Sequence, residues 1–245
     1  MIGKRTKSRD SEVEIMRDIV SFKHIVKAAS LAIAMLLLFL FFGSCRQSAN
    51  GGDRAQLAAD SLAKLQNSRN RIDSIAPMIQ SGDLILRAGN DFTSESLRHL
   101  NQRNQSYSHC GIASIENGQV YVYHALGGEF NPDQKIRRDQ LQHFADPVSN
   151  RSMAVYRYYE PAMENDRLVA KAQQMYQAGI MFDMEFNLQT DERMYCAEYV
   201  YKALLLASNG SLRCNISHID KFEFVGVDDL FLQPLCTKQA EIIYK

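Results

Sequence analysis

The chain has 245 residues, room for one sizeable domain and an appendage, and its 46% hydrophobic and 23% charged content is that of an ordinary globular protein. The formal net charge of zero is unevenly spread: residues 1–27 hold seven Lys/Arg against four Asp/Glu, and residues 46–245 hold 21 against 24. A mildly acidic body argues against nucleic acid as the main partner.

The run AASLAIAMLLLFLFFG, from Ala28 to Gly43, carries no charge. Lys23 and Lys27 precede it and Ser44-Cys45 follow it. A basic segment, an apolar segment and small residues together make a secretory signal. The run is short of the about 20 residues that a membrane span needs. Gly43-Ser44 before Cys45 resembles a bacterial lipobox, in which the cysteine is lipidated and becomes the mature N-terminus. Phe42 stands where such boxes usually open with an aliphatic residue. An uncleaved anchor and an ordinary signal peptide are the alternatives, and Met16 is a second possible start. Each reading puts residues 46–245 outside the cytoplasm, and the lipobox reading makes this a bacterial envelope protein, membrane-anchored and facing the periplasm.

The segment RQSANGGD is a polar, Gly-bearing tether. Residues 54–79 place Leu57, Leu62, Leu65, Ile72 and Ile75 at helical spacing, with Pro77 near the end. That predicts an amphipathic helix, either a stalk or a packed element. Ser81-Gly82-Asp83 is a turn, and Leu84-Ile85-Leu86 a short buried strand. A helix is expected from Thr93, where hydroxyls and an early acid cap the run that holds Leu97 and Leu100. His109–Ile115 and Val120–Leu126 are strand-like, and Asn117-Gly118 between them is a strong hairpin signal. That hairpin lays Ile112–His109 roughly alongside Val122–Ala125. Arg137–Phe144 reads as helical, Met153–Tyr158 as a strand, Pro161–Ala178 as a helix. Cys196–Ala207 is a strong helix with Tyr199, Val200, Ala203 and Leu204 as its stripe, closed by Asn209-Gly210. A strand-like Glu241–Tyr244 ends the chain. The inventory is an antiparallel sheet plus helices, an α+β domain.

Cys196 heads its helix, where the macrodipole and free N–H groups lower a thiol pKa and can hold an oxyanion. On its own a helix cysteine is more often a small buried hydrophobe. His109 opens a strand on which Gly111 and Ala113 share its face, leaving room for a facing helix. It is the candidate base; a structural histidine is the plainer reading. His124, on the second hairpin strand, can bond the base's second nitrogen and fix its tautomer. Tyr195 could donate to an oxyanion, line a cleft, or pack in the core. Glu198, in the first helical turn, reads as a partner of the helix dipole rather than an acid or base. Of the other cysteines, Cys214 and Cys236 could pair in an exported protein, and Cys110 is left over. There is no HExxH, no paired CxxC, no GxGxxG and no P-loop, so no metal or nucleotide cofactor is indicated.

Four segments carry a resemblance: SGDLILRAG, SHCGIASI with its NGQVYVYHA hairpin, FDMEFNLQTDERMYCAEYVYKAL, and VGVDDLFLQP. In this order and spacing, over about residues 81–235, the chain resembles the permuted papain-like amidases of the YaeF/YiiX type, a branch of the NlpC/P60 superfamily of cysteine hydrolases. The resemblance implies a circularly permuted papain-like α+β fold, with the histidine strand ahead of the nucleophile helix. It implies Cys196 as nucleophile, His109 as base and His124 at the third position, where many members of the branch carry glutamate. The organisation expected is a leader and lipoprotein-type signal over 1–45, a tether and helix over 46–80, and a cysteine hydrolase domain over 81–245. The implied activity is amide cleavage through an acyl-enzyme on a small peptide, amide or lipid-like substrate. Acyl transfer or lipid hydrolysis on the same residues, or a tethered binding module without catalysis, are the rival readings.

Overall fold

The computed structural model describes residues 51–128, 131, 133–159 and 164–244. The signal-like run and Cys45 lie outside the described residues. The chain divides between Ala58 and Ala59 into two units. Of the first, only the opening of helix α1 (Gly51–Ile75) is described, and the account below concerns the second. Among the described residues no helix is long and apolar enough to cross a membrane.

The frame is a six-stranded sheet in the order β4-β3-β2-β1-β5-β8, antiparallel throughout. Its strands are β1 (Leu84–Gly89), β2 (His109–Glu116), β3 (Gln119–His124), β4 (Arg137–Gln140), β5 (Asn150–Tyr158) and β8 (Cys236–Ile243). A small hairpin of β6 (Ser217–Ile219) and β7 (Phe222–Phe224) stands apart from it. Both faces of the sheet are covered, which is why β1 and β2 read as nearly continuous apolar runs. Leu84, Leu86, Cys110 and Ile112 face one core with Val200, Ala203 and Leu204 of α5 (Cys196–Ala207) and Leu168 and Ala172 of α4 (Asn165–Gln177). Ile85, Ala113, Val122 and Val155 face the other, with Ile72 of α1, Ile79, and Leu141 and Phe144 of the one-turn helix α3 (Leu141–Phe144). Each large apolar side chain so buried stabilises by about 1.5–3 kcal/mol. Helix α2 (Phe92–Leu100) is capped by Asp91, whose carboxylate accepts from Ser94 N–H at 2.9 Å. The short α6 (Val227–Phe231) buries all five of its residues.

The expected strands and helices recur with shifted ends, and α5 spans Cys196–Ala207 as its stripe requires. The Asn117-Gly118 turn has both residues at positive φ, 51° and 78°, the conformation that a two-residue hairpin of this type demands. It pairs Ile112 with Tyr123, one residue beyond the expected partner. One element differs in kind. Residues 137–140, expected as helix, form β4 against β3, and only Leu141–Phe144 is helical. The helix expected from Pro161 starts at Asn165, and residues 160–163 are not among those described.

Candidate active site

The β2–β3 ladder ends at Ile112↔Tyr123. His109 and Cys110 therefore extend beyond it on β2, and His124 and Ala125 on β3. Cys110 shares Ile112's hydrogen-bonding edge, because alternate residues of a strand do. Its N–H thus points into the gap where the strands part. The head of α5 enters there. Cys196 lies near enough to the Cys110 thiol and to the N–H groups of Cys110 and Ala197 for their polar pull to lower its thiol pKa.

His109 and Cys110 point to opposite faces, as neighbours in a strand must. Cys110 packs in the core shared with α5, while the His109 ring lies against Phe144 at 5.6 Å between centroids. His124 is on the same side. Its ring meets His109 edge-on at 5.0 Å and Phe144 at 5.0 Å. His109 Nε2 and His124 Nδ1 are 2.8 Å apart, a hydrogen bond. His124 Nε2 is in turn 3.0 Å from Asp139 Oδ2. Arg137 closes on the same carboxylate, Nε to Oδ2 at 3.0 Å and Nη2 to Oδ1 at 2.8 Å. Gly111 makes the approach possible. A Cβ there would come within 2.5 Å of Val122 Cγ1 and 2.8 Å of the Tyr123 carbonyl oxygen.

Arg87 pairs with His109 across β1 and β2. It donates to the Phe144 carbonyl at 3.1 Å, with its guanidinium 4.8 Å from the centre of the Phe144 ring. Its buried Nε has no hydrogen-bond partner. The electrostatics follow from this packing. Hydrogen bonding from the Cys110 thiol, then from the two N–H groups, with the charge of Arg87, holds Cys196 below the ordinary thiol range although burial opposes it. Burial, and the bond it gives Cys196, push Cys110 well up. Burial depresses His109 far below an ordinary histidine, and Arg87 and His124 add to this. His124 is brought to about 4, by burial against the pull of Asp139. Asp139 resists burial through its bonds to His124 and Arg137 and stays well below the usual carboxylate range. Both imidazoles are therefore neutral at neutral pH, beside an ionised carboxylate.

The structure brings His109 and His124 together as a hydrogen-bonded pair, and it places Cys196 beside Cys110, whose side chain lies on the opposite face of the strand from the His109 ring. Tyr195 is the N-cap of α5, buried, with its ring 4.9 Å from Phe186 and its hydroxyl accepting from Val225 N–H at 2.8 Å. It packs the head of the helix. Glu198 accepts from Tyr195 N–H at 3.3 Å and pairs with Lys202 at 2.9 Å, the structural place expected of it. Cys214 and Cys236 are both free thiols. The sequence reading missed Asp139 and Arg87. An Arg in the apolar run LILRAG was a usable signal for one. Asp139 was hidden by the helical reading of its segment.

Among the described residues no group of three or more His, Cys, Asp or Glu is placed to hold a metal ion. The facing nitrogens of His109 and His124, at 2.8 Å, are also closer than the about 3.3 Å that two ligands of a tetrahedral zinc keep. No curated protein matches the chain. Among solved structures it is similar to yiiX from Escherichia coli O157:H7, described as a metalloprotein, at 20% identity and a TM-score of 0.55. The match covers 67% of this chain and 98% of that one, and it shows the fold. Residues 78–215 match the permuted papain-like amidase enzymes, YaeF/YiiX, C92 family. With more than half its length so matched, on a mixed sheet-and-helix fold, the chain belongs to that family of papain-like amidases, cysteine hydrolases of amide bonds.

Proposed function

We propose that this protein is an envelope-facing thiol amidase of the NlpC/P60 superfamily that works through Cys196, His109 and His124. What supports the reading is Cys196 at the head of α5, its thiol pKa lowered beside Cys110, the strand neighbour of His109, whose ring is hydrogen-bonded to His124. His109 Nδ1 takes the thiol proton as Sγ attacks the carbonyl carbon. The Cys196 N–H at the helix head holds the oxyanion. His109 returns the proton to the leaving nitrogen, the C–N bond breaks, and a thioester remains on Cys196. Water then attacks the thioester, gives a proton to His109, and the acid leaves as Sγ regains its hydrogen. His124 keeps the His109 ring in place through both halves. The apolar run before Cys45 supports export, and Cys45 as a lipid attachment point supports anchoring to a membrane. The substrate class is a small cell-wall peptide or N-acyl amino acid.

The test is incubation of the full chain, wild type and Cys196→Ala, with cell-wall peptides and N-acyl amino acids, read by mass spectrometry. Cleavage products from the wild type alone are expected. Equal product from Cys196→Ala would remove the cysteine from the chemistry. Products carrying a second amine or alcohol in place of water would make the enzyme a transferase on the same residues.

A further inference from the structure

We infer that Asp139 is a positioning residue that sets the tautomers of both histidines, so that the lone pair of His109 is presented on Nδ1, the nitrogen that the functional reading above assigns to the thiol. The argument is a chain of donors and acceptors. An ionised carboxylate can only accept hydrogen bonds. Its Oδ2 lies 3.0 Å from His124 Nε2, so that nitrogen carries the hydrogen. A neutral imidazole has one N–H, so His124 Nδ1 is bare and accepts. The only hydrogen that can fill the 2.8 Å contact with His109 then sits on His109 Nε2. His109, also neutral, is left with its lone pair on Nδ1.

Three features make this a constructed relay rather than a chance contact. Arg137 occupies both oxygens of Asp139, from Nε and Nη2, so the carboxylate is held in its plane and kept ionised. Phe144 lies against both rings, which limits their rotation. His124 is 1% exposed, so water does not compete for its nitrogens. A hydrogen bond to a charged acceptor contributes about 1.5–3 kcal/mol, a bias of roughly ten- to a hundredfold between tautomers. The same carboxylate stabilises the imidazolium that forms when His109 takes a proton, at one remove through His124.

The experiment is 15N NMR of the imidazole nitrogens on the full chain in detergent, with histidine labelled. Wild type, Asp139→Ala and Asp139→Glu are compared near pH 7, alongside kcat and KM on whichever amide the wild type cleaves. In the wild type both rings are expected as single Nε2–H forms. In Asp139→Ala both rings become mixtures together, and kcat falls ten- to a hundredfold with KM unchanged. Asp139→Glu, which keeps a charged acceptor, restores most of both. The wild-type spectrum is decisive even if Asp139→Ala does not fold: a hydrogen on Nδ1 of His109 overturns the inference. So does an Asp139→Ala spectrum with both tautomers unmoved. The spectra report on the relay whether or not Cys196 cleaves amides, so this inference and the functional reading fail separately.

Discussion

Cys196 is the one described thiol whose surroundings favour the thiolate. The polar pull of the Cys110 thiol and of two nearby N–H groups lowers its pKa, and the positive charge of Arg87 adds to this. Burial pushes Cys214 and Cys236 the other way, each to about 12. Iodoacetamide at pH 7 is therefore expected to label Cys196 well before Cys214 or Cys236, with a rate that inflects below the ordinary thiol value of about 8.5. Peptide mapping after timed quenching checks it. Equal labelling of Cys214 and Cys196 would mean that the helix head does not activate its thiol. Cys196, His109 and His124 could be singled out as candidates in the sequence because each sits at a place with a local signature: a helix start, a strand start, a hairpin strand. Asp139 has none. Its role comes from being opposite Val122 on a neighbouring strand, diagonal to His124, a relation that single-sequence spacing does not carry.

At the scale of elements, the site depends on how β2 and β3 part. Gly111 lets β3 lie close just before the strands separate, and no larger residue fits there. Gly111→Ala is expected to cost about 1–3 kcal/mol by overpacking against Val122 and the Tyr123 carbonyl, seen as a lower urea midpoint. A midpoint equal to wild type would show that β3 yields freely. The hairpin itself was readable because Asn-Gly dictates a two-residue turn and, through it, the register. The expected pairing was one residue short, since Glu116 and Gln119 close the turn as partners. Arg137–Gln140 was misread because Arg and Gln are good helix formers, while the strand is made by β3 pairing with it. Tertiary pairing outweighed propensity at the element that holds Asp139.

For the whole molecule, the buried titratable groups set opposing pH slopes. His124 and His109 are depressed in the fold, so the unfolded chain binds protons that the fold refuses as pH falls below about 6.5. Between there and pH 4, His124 alone removes on the order of 3 kcal/mol. Glu198 is raised to about 7 by burial, against the pull of Lys202, so its contribution has the opposite sign. The fold gains stability from it as pH falls from 7 toward the unfolded glutamate value. Arg87, Arg137 and Asp139 face the histidines, and Lys202 and Asp183 face Glu198, so each slope keeps its own neighbours. Urea midpoints from pH 7.5 to 4.5 should therefore fall more steeply in Glu198→Gln than in wild type, and less steeply in His124→Asn. Parallel profiles for all three would refute the assignment. The layout that carries these groups was legible in class, as an antiparallel sheet with helices, but not in strand order. The sheet's order leaves β4 as a rim strand, four residues long and bearing Arg137, Arg138 and Asp139. A rim offers unpaired backbone groups to any passing strand, and charge is what turns such a strand away. Arg138 is tied to Glu116, and Arg137 to Asp139, so the rim keeps its charge in fixed places. The residues that order the imidazoles thus also stop the sheet from growing into a neighbouring molecule.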